Sequence, residues 1–415
     1  MLFKKLSLNK WKQFETIDID FHDRLTVLTG ANGSGKTTIL HLLARHFGWG
    51  FQELATPSKD ITTGVIKFFS RLFKKDQNLD EDPIIGNITY DNGEIADLRI
   101  NHNQTAKYDV TIQFNQRNRN NANRITGLNI SSHRSVFKYQ EVPSVSTQKR
   151  GKKGAFQLSE QSSKTEILQT GYYEHKPINY IIKETLLNWA IGGSGNEFIT
   201  PDAELRKNYL DFQEKLRILF PKNIGFRKIS IRNYEIVLET DSGDFMIDSV
   251  SGGLASIIDL CWQIFNFSDA SEKFVVLIDE IENHLHAAMQ RSILPDLIEA
   301  FPNVQFIVST HSPLIVASVK DSNIYAFRYN EDNRVYSEKL DLVNKARSAS
   351  EILNEVLGVP FTMPIWAEDK LLEIINKYKG QELTESLFDS MRQEFKDNGL
   401  ESLMPMAIKG VFAND

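Results

Sequence analysis

The sequence predicts an α/β protein: a head with a mixed central sheet, an antiparallel β subdomain, a helical insertion and a helical C-terminal extension. Three observations carry that prediction. A compact apolar strand, Arg24 to Thr29, runs directly into a glycine-rich turn and an amphipathic helix. Two further runs, Lys273 to Asp279 and Gln305 to Ser309, are continuously apolar and β-branched, as suits strands covered on both faces of a parallel sheet. Elsewhere, short alternating segments joined by turn residues give the pattern of an antiparallel meander.

The elements follow from local pattern. Leu2 to Leu8 and Phe14 to Phe21 alternate as two strands around Lys10-Trp11-Lys12-Gln13. The helix after the glycine-rich turn places Ile39, Leu40, Leu42, Leu43 and Phe47 on its apolar side, and Gly48 and Gly50 end it. Lys67 to Lys75 reads as a basic amphipathic piece. Asn87 to Tyr90, Glu94 to Ile100 and Tyr108 to Phe114 form the meander, with Asp91-Asn92-Gly93 as its hairpin turn. Residues 115–124 are polar and read as a loop, and Arg124 to Ser131 as a strand.

Residues 141–172 are rich in Ser, Gln and Lys and carry the run Lys149-Arg150-Gly151-Lys152-Lys153, the composition of a solvated loop. Residues 177–219 read as helical with a break at Ile191 to Gly195, and strands return at Lys228 to Ile231, Tyr234 to Thr240 and Asp244 to Ile247. A helix over Leu254 to Phe267 precedes the two buried-type strands. Ile324 to Phe327 and Val335 to Leu340 are the last strands, before a tail of helical pattern. This divides the chain into a head at 1–345, with a helical insertion at about 141–225, and an extension at 346–415. Neither an internal repeat nor a sustained heptad pattern is present.

Composition bounds the function class. The 415 residues are 41% hydrophobic and 25% charged, an ordinary soluble balance, and the net charge of −6 gives no overall basic character for nucleic acid. The single cysteine, Cys261, lies in an apolar run and reads as a buried hydrophobe. The N-terminus lacks a signal-peptide h-region and no stretch has the length of a membrane span, so the expectation is a cytoplasmic protein.

The chemistry-bearing motifs fall at strand ends. Gly30-Ala31-Asn32-Gly33-Ser34-Gly35-Lys36-Thr37 fits G-x-x-x-x-G-K-[ST], followed by Thr38. Its glycines let the backbone wrap phosphates, Lys36 supplies a point charge for the β/γ-phosphates, and the Thr37 hydroxyl can hold Mg²⁺. The following helix adds its positive N-terminal end. Asp279 and Glu280 end a buried strand, at the sheet edge where ligands bind in open α/β folds. Asp279 suits Mg²⁺, and Glu280 suits orienting or deprotonating the attacking water. Ser251-Gly252-Gly253 opens an apolar helix and could form a second anion site. His311 ends another strand and would reach the γ-phosphate. Gln140 could reach Mg²⁺ or the water, or be an ordinary surface residue; Arg134 either contacts phosphate or pairs with an acid. His284 and His286 lack a third ligand, so a loop touching a partner subunit suits Glu282 to His286 better than a metal site.

In this order the motifs resemble those of the ABC ATPases. Walker A corresponds to Gly30 to Thr37, the signature to Ser251-Gly252-Gly253, Walker B to Asp279 with Glu280, the D-loop to Glu282 to His286 and the H-loop to His311. The resemblance spans roughly residues 1–340. The N-terminal pattern and Ser-Thr-His-Ser-Pro are most similar to the non-transporter branch: RecF, the overcoming-lysogenization-defect ATPases and ATPases of anti-phage systems. It implies ATP and Mg²⁺ as cofactors, and a homodimer or higher homo-oligomer in which one subunit's signature closes over its partner's ATP. Unlike SMC proteins, this chain has no long coiled coil before the signature. Unlike overcoming-lysogenization-defect proteins, it has no D-x-D pair from Ser312 to Asp415. The layout is similar to the Septu and PARIS ATPases, which work with separate effectors. The implied function is an ATPase subunit that controls an effector, a nuclease, in anti-phage defence. The alternative is a RecF-like repair ATPase binding DNA directly through the runs at Lys67 to Lys75 and Lys149 to Lys153. No membrane partner is implied.

Overall fold

The computed structural model describes residues 1–59, 64, 66–69, 84–100, 106–114, 125–134, 136–168, 176–268, 272–341, 349–355, 364–378 and 384–405. The chain divides into two units, Met1–Ile352 and Leu353–Asp415.

In chain order the first unit begins with β1 (Phe3–Trp11), β2 (Phe14–Asp20), β3 (Leu25–Gly30) and α1 (Lys36–Ala44). Short strands β4 (Glu53–Leu54), β5 (Thr56–Lys59) and β6 (Ile66–Phe69) precede β7 (Ile84–Tyr90), β8 (Ile95–Ile100), β9 (Lys107–Tyr108) and β10 (Val110–Phe114). Then come β11 (Gly127–Ile130), α2 (Lys152–Leu168), α3 (Ile178–Ser194), α4 (Ala203–Leu219), and β12 (Phe226–Arg232), β13 (Glu235–Thr240) and β14 (Phe245–Met246). The unit is completed by α5 (Gly252–Phe267), β15 (Phe274–Ile278), α6 (Ala287–Ala300), β16 (Val304–Thr310), α7 (Pro313–Val316), β17 (Asn323–Tyr329) and β18 (Val335–Lys339).

Among the described residues, one sheet runs β10-β8-β7-β1-β2-β18-β17-β3-β16-β15-β11. One wing, β10 to β2, is antiparallel; β17, β3, β16, β15 and β11 are mutually parallel. All residues of β3, β15 and β16 are buried, the outcome expected of uninterrupted apolar strands at the centre of a covered sheet. Register fixes the functional edge. Thr29 lies opposite Thr310, and Ile278 opposite Val308, so β3, β15 and β16 end together.

The antiparallel wing and α1 share one core, in which Trp11, Phe14, Leu40 and Tyr90 are buried. The sheet β12-β13-β14 and the paired helices α3 and α4 lie between β11 and α5 in the chain. Asp202 caps α4 by accepting from the amides of Glu204 and Leu205.

Two expectations need correction. The stretch read as a solvated loop contains α2. Its buried face is made of Ala155, Ser159 and Ser162, small residues at helical spacing that give no apolar signal. Ser159 Oγ donates to the Ala155 carbonyl and accepts from Trp262 Nε1 of α5 at 3.0 Å. Three of the four basic residues there have partners within the chain: Lys149 meets Asp202 and Glu204, Arg150 meets Glu184, and Lys152 donates to the Ser268 carbonyl. In the other basic piece, Ile66–Phe69 is a strand paired with β5, because Pro57 and the Phe pair suit an extended edge better than a helix; residues 70–75 and the polar stretch 115–124 lie outside the described residues.

In the second unit, helices Ile365–Tyr378 and Glu385–Asp397 bury Ala367, Leu371, Ile374, Met391 and Phe395 in a core of their own. Cys261 is fully buried, and burial pushes its thiol up out of the reactive range. Among the described residues no helix is long and apolar enough to cross a membrane.

Candidate nucleotide site

The loop between β3 and α1 turns on glycines whose conformations exclude other residues. Gly30 has φ 143°, and a Cβ there would lie 2.6 Å from the Phe327 carbonyl oxygen. Gly35, the residue before α1, has φ 94°, and its Cβ would meet the Phe14 ring at 2.4 Å. Ala31, Asn32 and Gly33 form an exposed lip, and Ser34 and Lys36 are buried beneath it. Thr37 and Thr38 occupy the first turn of α1, half-buried. The Ser34 hydroxyl is buried without a protein partner, an unsatisfied polar atom inside the loop.

Lys36 curls back over this loop. Its Nζ donates to the carbonyls of Gly30 at 2.9 Å and Ala31 at 3.1 Å, and lies 3.5 Å from His311 Nδ1. Burial lowers the ammonium to about 8, although Asp279, Glu282 and Glu280 pull the other way. A triphosphate in the lip would supply the compensating negative charge. Burial, then Lys36, also lowers His311.

The acids assemble on the adjoining strand ends. Thr37 Oγ1 donates to both Asp279 oxygens, at 3.0 and 3.1 Å. Ser309 Oγ donates to Asp279 Oδ1 and accepts the Glu280 amide at 2.8 Å. Glu282 accepts the His311 amide through Oε1. Glu280 has φ 45°, a left-handed conformation rare for a side chain of its size, and such strain concentrates at functional sites. The hydroxyl and carboxylate donor set at Thr37 and Asp279 fits Mg²⁺, which takes few protein ligands and fills the rest with phosphate oxygens and water. Among the described residues no group of three or more His, Cys, Asp and Glu offers an all-protein metal cage.

Three residues that sequence reasoning underrated support this edge. Arg134 is only 5% exposed and braces the main chain. Its guanidinium donates to the carbonyls of Asp279, Glu280, Ile281 and Asn283 and to Ser256 Oγ, all within 3.3 Å. Burial brings it down to about 10. Asn283 and Ser309 are the others. Ser309 had a signal available, standing two residues before His311 on the same strand; main-chain acceptors such as those of Arg134 leave none.

Lys36, Thr37, Asp279, Glu280 and His311 thus come together, as their motifs predict. Gln140 is anchored through its main chain: its amide donates to Asp248 Oδ2 at 3.3 Å and its carbonyl accepts from Lys183. Ser251 is the exposed N-cap of α5, accepting the Leu254 amide, and Gly252 and Gly253 pack against His284 and Met289. Ser251 to Gly253 therefore border the turn at Glu282 to His286, with Ser251 exposed and Gly253 buried. His284 is exposed with φ 67°, and His286 caps α6.

A family model described as "AAA domain, putative AbiEii toxin, Type IV TA system" matches residues 25–317. "Septu protein PtuA" of Bacillus thuringiensis is 22% identical over 405 residues, covering 94% of this chain and 92% of that protein. "Retron Ec83 probable ATPase" of Escherichia coli is 35% identical over 107 residues, 25% of this chain and 18% of that protein. Among solved structures, "SMC head domain from Thermotoga maritima" aligns with 82% of this chain and all of that one, at 14% identity and TM-score 0.44.

Proposed function

The chain belongs to the AAA-domain family whose model covers most of it and is an ATPase of the kind found in Septu and retron systems; from that premise we propose that two copies bind two ATP molecules between them and control a separate effector. The observation that carries this is the meeting of Lys36, Thr37, Asp279, Glu280 and His311 at one sheet edge, with Ser251 exposed on a neighbouring helix. Walker A, from Gly30 through Thr38, wraps the triphosphate, and Lys36 neutralises it. Thr37 and Asp279 hold Mg²⁺, which supplies charge neutralisation of the phosphates. Glu280 orients the attacking water and accepts its proton, and His311 faces the γ-phosphate beside Lys36. Ser251, Gly252 and Gly253 of one copy close over the nucleotide of the other, with the exposed D-loop histidine His284 at the seam. Gln140, whose main chain is held by Asp248 and Lys183, has no part in this cluster.

The effector fits a nuclease in phage defence, on the strength of the near full-length similarity to a Septu protein. Direct DNA binding has less support, because the run at Lys149 to Lys153 is tied to Asp202, Glu204, Glu184 and Ser268. The test is light scattering and MgATP turnover on purified protein. Glu280→Gln should trap an ATP-bound dimer that turns over slowly. A protein that stays monomeric with ATP at every concentration while hydrolysing it would refute the paired site.

A further inference from the structure

We propose that Asn283 is a positioning residue that aims the Glu280 carboxylate; this rests on the assignment of Glu280 as the group that handles the attacking water. Asn283 Nδ2 donates to Glu280 Oε2 at 2.9 Å and to the Ser132 carbonyl at 3.0 Å. An amide has two N–H donors, and these two acceptors match them. The carboxylate is therefore tied to a carbonyl of the loop that follows β11, through one rigid planar group.

Asn283 is itself held at its main chain. Its amide donates to the Glu280 carbonyl at 3.0 Å, closing a tight turn between the two residues. Its carbonyl accepts from Arg134 and from Ser256 Oγ, each at 3.3 Å. Glu280 needs such a tether. It is half-buried, follows the end of a strand and has a left-handed backbone, so its side chain leaves the sheet in a direction that strand geometry does not set. A glutamate has three side-chain torsions, and one hydrogen bond to a fixed amide removes most of that freedom. A base displaced by about 1 Å from its water loses much of its effect, on the order of 100-fold. Ser256 lies in α5, the helix capped by Ser251, so the tether also joins that helix to the Glu280 carboxylate of the same copy.

The experiment measures steady-state MgATP hydrolysis for the full chain and for Asn283→Ala, Asn283→Asp, Glu280→Gln and the double variant Asn283→Ala with Glu280→Gln. Thermal melting is run alongside. Asn283→Ala should lower kcat by about 10- to 100-fold with KM within about twofold of wild type. Asn283→Asp keeps the size but faces Glu280 with an acceptor, so it should lose at least as much; it decides the matter if the alanine variant fails to fold. In the Glu280→Gln background, Asn283→Ala should change the residual rate by less than about twofold, since the group it aims is gone. A wild-type kcat for Asn283→Ala overturns the proposal, as does the same fold-loss in both backgrounds. A wild-type rate for Glu280→Gln is a different failure: it removes the assignment of Glu280 itself, and the tether with it.

Discussion

Replacing Arg134 by methionine should destabilise the first unit by about 3 kcal/mol. Arg134 makes five donor contacts, to four carbonyls and one hydroxyl. Four N–H groups serve them, Nη1 sharing two hydrogens among three acceptors, while Nε is buried without a protein partner. At about 1.5 kcal/mol per N–H, the low end for a charged donor, these total roughly 6 kcal/mol. Against that stands the net cost of holding the charge there, burial offset in part by Asp259, Glu282, Asp279 and Glu280, visible in the fall of the guanidinium from 12.5 to about 10. That fall corresponds to about 3 kcal/mol, which the apolar variant no longer bears. The difference is about 3 kcal/mol, within the range for removing one side of a buried charged cluster. Methionine fills much of the same volume, so a cavity adds little. Urea unfolding followed by tryptophan fluorescence reads it, since Trp11, Trp189 and Trp262 are all buried in this unit. Arg134→Lys should fall between the two, because an ammonium has three donors for five acceptors. A loss below about 1 kcal/mol for Arg134→Met would mean that the carbonyls find water instead, and the strut argument would fail.

Other outcomes are expected at the nucleotide site and beyond it. Lys36→Ala should abolish ATP binding by calorimetry; retained tight binding would contradict its phosphate role. Ser251→Arg should leave ATP binding by each copy intact but stop turnover, and unchanged turnover would argue against closure by the signature. His46 links folding to acid: its Nδ1 faces the Leu43 carbonyl and its Nε2 the Tyr90 hydroxyl, and burial lowers it from 6.5 to about 4. The folded state holds it neutral, so this contribution is complete above pH 6.5 and is lost as pH falls toward 4. The loss is up to about 3 kcal/mol. Urea midpoints measured from pH 7 to 4.5 should show it, and His46→Gln should flatten that slope; an unchanged slope counts against it.

What could be read from sequence divides by the kind of partner each residue has. Gly30 to Thr37 was legible because its backbone can turn that way only with glycine at fixed places. The strands that precede Asp279 and His311 were legible because burial on both faces leaves an uninterrupted apolar centre, Phe274 to Ile278 and Phe306 to Val308. Helix α2 was hidden because Ala155, Ser159 and Ser162 let two helices approach closely without an apolar stripe. The run at Lys149 to Lys153 looked like a solvated surface because its acids, Glu184, Asp202 and Glu204, lie far along the chain. Arg134 and Asn283 could not be placed because their acceptors include carbonyl oxygens, which every residue possesses. Gln140 has a context in sequence, near Arg134, but its main-chain hydrogen bonds turn on Lys183 and Asp248, 43 and 108 residues onward.

The position of β3 in the sheet has a consequence for synthesis. Its neighbours are β16 and β17, which leave the ribosome nearly three hundred residues later. Until then, the phosphate-binding turn has no flanking strands to hold its shape, and the wing around β1 and β2 must wait with one edge unpaired. Pairings at such separation form slowly and leave strand edges open to other chains. A polypeptide that ends before β16 therefore lacks both strands that flank β3 and its glycine-rich turn.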